Sequence, residues 1–154
     1  MMDVAPGEVP RADALAEART SARASRRAWL RTRLLRVIAS LSSAAALFAF
    51  LDPDRVAIVM GLFLVGVNGY SQFYAIYVGV RLATAALALL AARNGDQPLL
   101  GDLTALFILA QPAGRLVAAM AIGLPKGVLL AVCGLELACG LLLLALRPRA
   151  DGLR

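Results

Sequence analysis

Four long apolar stretches follow a polar N-terminal segment in this chain of 154 residues. They run over residues 34–51, 70–92, 102–122 and 126–146. Each stretch is close to the ~20 residues that a helix needs to cross the ~30 Å hydrocarbon layer of a membrane. The pattern therefore predicts an all-α, integral membrane four-helix bundle.

The start of the second crossing is the least clear boundary in this pattern. Residues 56–92 form one apolar run, which as a single helix would be roughly 55 Å long at 1.5 Å per residue. That is too long for one crossing, and Gly66, Asn68 and Gly69 indicate a break. We therefore expect an outer amphipathic or re-entrant segment before a crossing helix of about residues 70–92.

Composition supports a membrane protein and excludes several kinds of chemistry. Of the residues, 60% are hydrophobic and only 17% are charged. The chain has no His and two Cys, so His-ligated metal sites, His-based triads and Cys₄ zinc sites are excluded. No glycine-rich phosphate-binding loop is present, and we expect neither a cofactor nor a metal.

The basic residues predict the orientation of the bundle. An Arg/Ala-rich tail over residues 1–33 precedes the transmembrane domain of residues 34–147, and residues 148–154 form a second short tail. With four crossings, both tails lie on the side that carries twelve Arg, whereas the opposite side carries only Arg55 and Lys126. This asymmetry predicts cytoplasmic termini in a multi-pass protein of the cell inner membrane, with the tail flexible or lying on the membrane surface.

Three of the four spans carry one charged residue near the middle: Arg81, Arg115 and Glu136. Counted from the outer end of each span at 1.5 Å per residue, these residues lie at depths of ~16, ~12 and ~15 Å respectively. A charge at this depth costs about 2.5–3.5 kcal/mol on insertion scales, and such residues usually pair or face an internal cavity. We therefore expect the three helices to converge on a shared polar site.

Other polar side chains extend this predicted site. Tyr74, Tyr77 and Arg81 follow i, i+3, i+7 spacing, which places them on one stripe of an α-helix. The predicted catalytic residues are Glu136, Arg115, Arg81 and Tyr77. The predicted substrate-binding residues are Asn68, Gln72, Tyr74 and Gln111.

A purely structural interpretation of the same residues stays open. Two Arg and one Glu can form a buried ion network that only fixes helix register, although the surplus positive charge favours an anionic or polar ligand. Ser40 and Ser43 share a helix face and are more typical of helix contacts than of chemistry. Small residues that recur every four positions allow close packing within the bundle or a homodimer contact.

Several short motifs resemble a family of small four-helix bacterial membrane proteins of unknown function with a DoxX-like helix arrangement. They are Leu51-Asp52-Pro53, Asn68, Tyr77-Val78-Gly79, Gly114-Arg115 and Glu136. The resemblance covers roughly residues 34–146 and implies four helices around a shared polar site, without an established activity. The chain departs from the family pattern at Gly69, Tyr74 and Val78, where the family has an acidic residue, an Arg and a Gly.

The sequence favours a cofactor-independent membrane enzyme that acts on a lipophilic small molecule. Glu136, shielded from water beside an Arg, could serve as general acid or base, with Tyr77 as a donor, for isomerisation, cyclisation or epoxide opening. The alternatives are a small proton-coupled transporter and a non-catalytic membrane subunit. We expect no nucleic-acid partner, because the basic residues flank the spans and are explained by topology and contact with the lipid bilayer.

Overall fold

The computed structural model describes residues 9–148, and the side chains from residue 14 onward. The predicted all-helical fold is confirmed, because these residues form five helices and their connections, with no strand among them. The helices are α1 (Val9–Leu51), α2 (Pro53–Val59), α3 (Gly66–Arg93), α4 (Pro98–Ile122) and α5 (Val128–Ala145). All but α2 are long and apolar enough to cross a membrane, which indicates a multi-pass membrane protein.

The four long helices pack as an antiparallel bundle in which α1 lies against α3, α3 against α4, and α4 against α5. We call the end where α1 enters the bundle and α5 leaves it the terminal end, and the opposite end the loop end. An apolar core fills the bundle towards the terminal end. It is formed by Leu35, Ile38, Ala39, Ala88, Ala91, Ala105, Ile108 and Leu143.

The loop end is built around α2 and the segment that joins it to α3. The side chain of Asp52 accepts a hydrogen bond from the backbone N–H of Arg55 (3.1 Å), and the hydroxyl of Tyr70 donates to Asp54 (2.5 Å). Gly61 and Gly66 have φ angles of +73° and +60°, which other residues rarely adopt, and they flank the irregular stretch of residues 62–65. Together these features fold the long apolar run back on itself.

The first helix extends well beyond the bundle. It has 43 residues, about twice the length of one crossing, and every side chain of residues 14–30 is exposed. Burial begins at Arg31. The segment predicted as a tail over residues 1–33 is therefore helical from Val9 onward, and its flexibility stays a prediction.

The predicted ends of the first and third spans, at residues 51 and 122, agree with the structure, and the remaining boundaries of the second, third and fourth spans differ from the predicted ones by one to four residues. The second membrane-length helix begins at Gly66 rather than near residue 70, and the third begins at Pro98 rather than near residue 102. Proline at the first turn suits a helix start, because its missing N–H would have no intrahelical partner. Residues 1–8 and 149–154 lie outside the described residues, and with them nearly all of the predicted tail over residues 148–154.

An ion cluster holds three helices together at the terminal end. Arg31 donates through Nη2 to Asp102 Oδ1 (2.6 Å) and to the carbonyl of Pro98 (3.1 Å), while Arg147 Nε lies 3.0 Å from Asp102 Oδ2. The guanidinium of Arg31 lies against Gly101, where an added Cβ would come within 2.6 Å of it. The cluster joins α1, the start of α4 and the segment directly after α5.

Candidate functional site

The three charged residues predicted to share one depth do meet in the middle of the bundle. Arg81 Nη2 donates to Glu136 Oε1 at 2.6 Å, and Arg115 Nη1 donates to Glu136 Oε2. The side chain of Glu136 is only 6% exposed, whereas those of Arg81 and Arg115 are 19% and 17% exposed. We call these three residues the central ion network.

The helix that carries Arg81 changes its geometry directly before it. Residues Tyr74–Val80 form a π-helix, and α-helical geometry resumes at Arg81. The i→i+5 hydrogen bonds of a π-helix make each turn wider, and such segments are frequent at functional sites. Tyr77 lies in the middle of this π segment, so its angular position relative to Arg81 differs from that in a regular α-helix.

A cavity of about 450 Å³ lies beside the central ion network, and we call it the α1–α5 cavity. Arg81 and Glu136 line it together with Tyr77 and Gln111, and the rest of the wall is mainly apolar. Leu41 and Phe48 of α1 and Leu135 of α5 also line it, and they are 54%, 68% and 56% exposed. The cavity therefore opens between α1 and α5 on the face of the bundle that would contact lipid.

A second cavity, of about 760 Å³, lies between α3 and α4, and we call it the α3–α4 cavity. Arg115 is the charged residue that lines it, and Gln72, Tyr77 and Gln111 are its other polar side chains. Tyr77, Phe107 and Gln111 line both cavities and so form a partition between them. The central ion network thus reaches one cavity through Arg81 and Glu136 and the other through Arg115.

Two of the predicted substrate-binding residues lie outside both cavities. The ring of Tyr74 packs edge-on against Phe50 and Phe73, at centroid distances of 6.4 and 6.1 Å. Asn68 is exposed in the first turn of α3. The prediction that Tyr74, Tyr77 and Arg81 share one helix face assumes α-helical geometry. The π segment changes the angular positions of the two Tyr relative to Arg81.

Three polar residues of the α1–α5 cavity were not foreseen. Ser42 is buried and lines the cavity, whereas the two neighbouring serines at 40 and 43 are exposed. Thr84 also lines it, and its hydroxyl donates to the carbonyl of Val80 (2.8 Å). Arg55 of α2 lies on the loop-end side of the wall. The spacing of Ser42, Tyr77 and Glu136 along the chain does not predict that they line one cavity, because the cavity arises from packing between separate helices.

The two ion clusters described above have similar chemistry and different surroundings. Glu136 is bridged by Arg81 and Arg115, and Asp102 is bridged by Arg31 and Arg147. Each carboxylate uses both of its oxygens and leaves one surplus positive charge, since Arg is always protonated. Only Glu136 lines a described cavity, so a comparison of the two carboxylates separates a role in function from a role in structure.

Comparison with known protein families, with curated proteins and with solved structures gave no match. The resemblance to the DoxX-like family therefore stays a prediction from short motifs. Among residues 14–148, no group of three or more His, Cys, Asp and Glu side chains could hold a metal ion. The function is inferred from the ion network and the two cavities.

Proposed function

We propose that the protein is a membrane enzyme that acts without a cofactor on a lipophilic small molecule bound in the α1–α5 cavity. The observation that carries this proposal is the position of Glu136, buried between two Arg and facing an apolar cavity that opens towards lipid. A cavity of about 450 Å³ falls within the common size of small-molecule sites. Intramembrane ionisable residues are usually functional, and this one has room for a ligand beside it.

Each residue of the site has a proposed role. Glu136 takes a proton from the substrate and returns it at a second position, so that isomerisation or cyclisation consumes no further reactant. Arg81 and Arg115 hold the carboxylate in place, and Arg81, which lines the α1–α5 cavity, stabilises negative charge that develops on the substrate. The Tyr77 hydroxyl donates a hydrogen bond or a proton, and Gln111 orients the substrate. For epoxide opening, protonated Glu136 gives its proton to the epoxide oxygen as the C–O bond breaks, water adds to the carbon, and the proton that water releases returns to Glu136, so that the product is a diol.

The closed terminal end favours an enzyme over a transporter. The apolar core and the ion pair of Arg31 with Asp102 fill the bundle on that side of the central ion network. A transporter would have to open this packed layer in every cycle, whereas an enzyme can admit substrate and release product through the opening between α1 and α5. Lateral access from the bilayer suits a substrate that is itself lipophilic.

Filling the α1–α5 cavity is expected to stop the reaction. Ser42→Leu places a branched side chain in the cavity wall, whereas Ser43→Leu makes the same change at an exposed neighbour. Protein in vesicles is incubated with a lipid extract of its source membrane, and untargeted mass spectrometry follows the species that are consumed and formed. We expect the wild type and Ser43→Leu to convert the same species and Ser42→Leu to convert none. Conversion by Ser42→Leu at the wild-type rate would contradict the proposed site.

We further propose that the protein lies in the cell inner membrane with both termini in the cytoplasm. The exposed N-terminal part of α1 carries Arg19, Arg23, Arg26 and Arg27, and Arg147 lies at the same end of the bundle. This excess follows the positive-inside rule. Green fluorescent protein fused to the C-terminus is expected to fluoresce, and alkaline phosphatase fused there is expected to be inactive. The reverse pair of results would contradict this orientation.

A further inference from the structure

The α3–α4 cavity has a lining that differs in chemistry from that of the α1–α5 cavity. Its polar side chains are Gln72, Tyr77, Gln111 and Arg115, and each of them carries an N–H or O–H donor. No carboxylate lines the described wall, whereas Glu136 lines the α1–α5 cavity. Hydrogen-bond donors grouped around one cation favour the binding of an anion.

The central ion network supplies the charge that such an anion would balance. Two guanidinium groups face one carboxylate, so one positive charge is left over in the interior of the bundle. The other carboxylates of residues 14–148 lie towards the ends of the bundle or in the exposed part of α1. Arg115 uses Nη1 for Glu136, and its remaining nitrogens form no hydrogen bond with the described residues.

The rest of the cavity wall fits an apolar chain. Leu62, Phe63 and Ile76 line one side, and the small residues Ala110 and Gly114 line the other. A Cβ added at Gly114 would meet no atom within 4 Å, so this wall is open space and not a helix contact. The small residues that recur every four positions predict close helix packing. In α4, Ala110 and Gly114 instead widen the cavity.

We propose that the α3–α4 cavity binds a lipophilic carboxylic acid, with the carboxylate on Arg115 and the chain along α3 and α4. A single negative charge matches the single surplus positive charge of the network. Arg115 lies eight residues before Gly123, roughly 12 Å inside the membrane at 1.5 Å per residue, which is deeper than the phosphate of a bilayer lipid. A free single-chain acid can reach this depth. The site goes beyond the proposed catalytic role of Glu136 and does not depend on turnover.

Binding of three probes with the same chain and different head groups tests this site. Protein in nanodiscs of a zwitterionic lipid is equilibrated with radiolabelled tetradecanoic acid at alkaline pH, where the acid is ionised, and unlabelled tetradecanol and tetradecylamine compete with it. We expect the acid to bind at least about tenfold more tightly than either competitor, as the loss of one charged hydrogen bond implies. Equal binding of the acid and the alcohol would overturn the proposal.

Three variants locate the bound acid. Arg115→Gln and Gly114→Leu are each expected to weaken acid binding at least about tenfold. Gly134→Leu is the matched control for Gly114→Leu, because Gly134 is also open on a membrane-length helix and lines neither cavity. It is expected to bind as the wild type does. Gly114→Leu leaves the charge of the protein unchanged, so it still tests the site if Arg115→Gln does not fold.

Two further variants separate this site from the catalytic proposal. Glu136→Gln is expected to retain acid binding, because it leaves the positive charge on Arg115. Ser42→Leu is expected to retain it too, because it fills the other cavity. Loss of acid binding in Ser42→Leu but not in Gly114→Leu would assign the acid to the α1–α5 cavity and overturn this inference. If Glu136→Gln binds the acid and still turns over substrate, the catalytic proposal fails and the acid site stands.

Discussion

Glu136→Gln is expected to lower the rate of substrate conversion at least about 100-fold while the protein still inserts and folds, since general acid–base catalysis contributes 10²- to 10⁴-fold. The amide keeps the size of the side chain and one acceptor oxygen, but it has no carboxylate to take and return a proton. The measurement is conversion of the membrane lipid extract by equal amounts of correctly folded protein. Size-exclusion chromatography after heating gives the melting temperature of the same sample.

The control for this variant is Asp102→Asn. Asp102 is also a carboxylate bridged by two Arg, and its side chain is 17% exposed, but it lines neither described cavity. We expect both variants to lose thermal stability, because Glu136→Gln leaves Arg81 and Arg115 without a carboxylate partner and Asp102→Asn does the same to the buried Arg31. Only Glu136→Gln should lose turnover. If Glu136→Gln fails to fold, or if both variants lose activity in proportion to stability, the central ion network is structural.

Gly101→Ala is expected to destabilise the bundle by on the order of 3 kcal/mol, the low end of the cost of breaking a buried ion pair. An added Cβ would lie 2.6 Å from Nη2 and 2.7 Å from Cζ of Arg31. The guanidinium must therefore shift, and its hydrogen bonds to Asp102 and to the carbonyl of Pro98 are strained or broken. Arg31 is only 6% exposed, so it has little room for another position.

The same substitution elsewhere in α4 is the control. Gly114→Ala meets no atom within 4 Å and is expected to raise stability slightly, since Ala is favoured over Gly in a helix by roughly 0.5–1 kcal/mol. Melting temperatures of the two variants in one detergent compare them directly. In an Arg31→Met background, Gly101→Ala should cost much less, because the clash is with the guanidinium. Equal melting temperatures for Gly101→Ala and Gly114→Ala would contradict this account of the terminal end.

The membrane-length helices and the meeting of three charges could be predicted because both depend on distance along a helix. The thickness of the hydrocarbon layer sets the length of a span, and counting residues from its end sets the depth of a charge. Arg81, Arg115 and Glu136 therefore lie at a similar depth in the membrane, regardless of how the helices pack. Which cavity each of them faces depends on helix rotation, which counting does not give.

The features that could not be predicted arise from local geometry and from packing between distant segments. The π segment Tyr74–Val80 changes the angular position of Tyr74 relative to Arg81. No simple residue pattern predicts a π-helix at this position. The pair of Arg31 and Asp102 joins residues 71 positions apart in the chain. The sequence does place both residues at the same end of the bundle, because Asp102 starts an apolar span and Arg31 precedes the first span. It does not show that their side chains meet.

Native mass spectrometry tests most directly whether a ligand occupies the α1–α5 cavity. Wild type, Ser42→Leu and Ser43→Leu are gently extracted from the source membrane, and the molecules they release are identified by lipidomics. We predict a lipophilic molecule that the wild type and Ser43→Leu carry and that Ser42→Leu lacks. The same set of bound molecules in all three proteins, or none in any of them, would contradict a functional site beside Glu136.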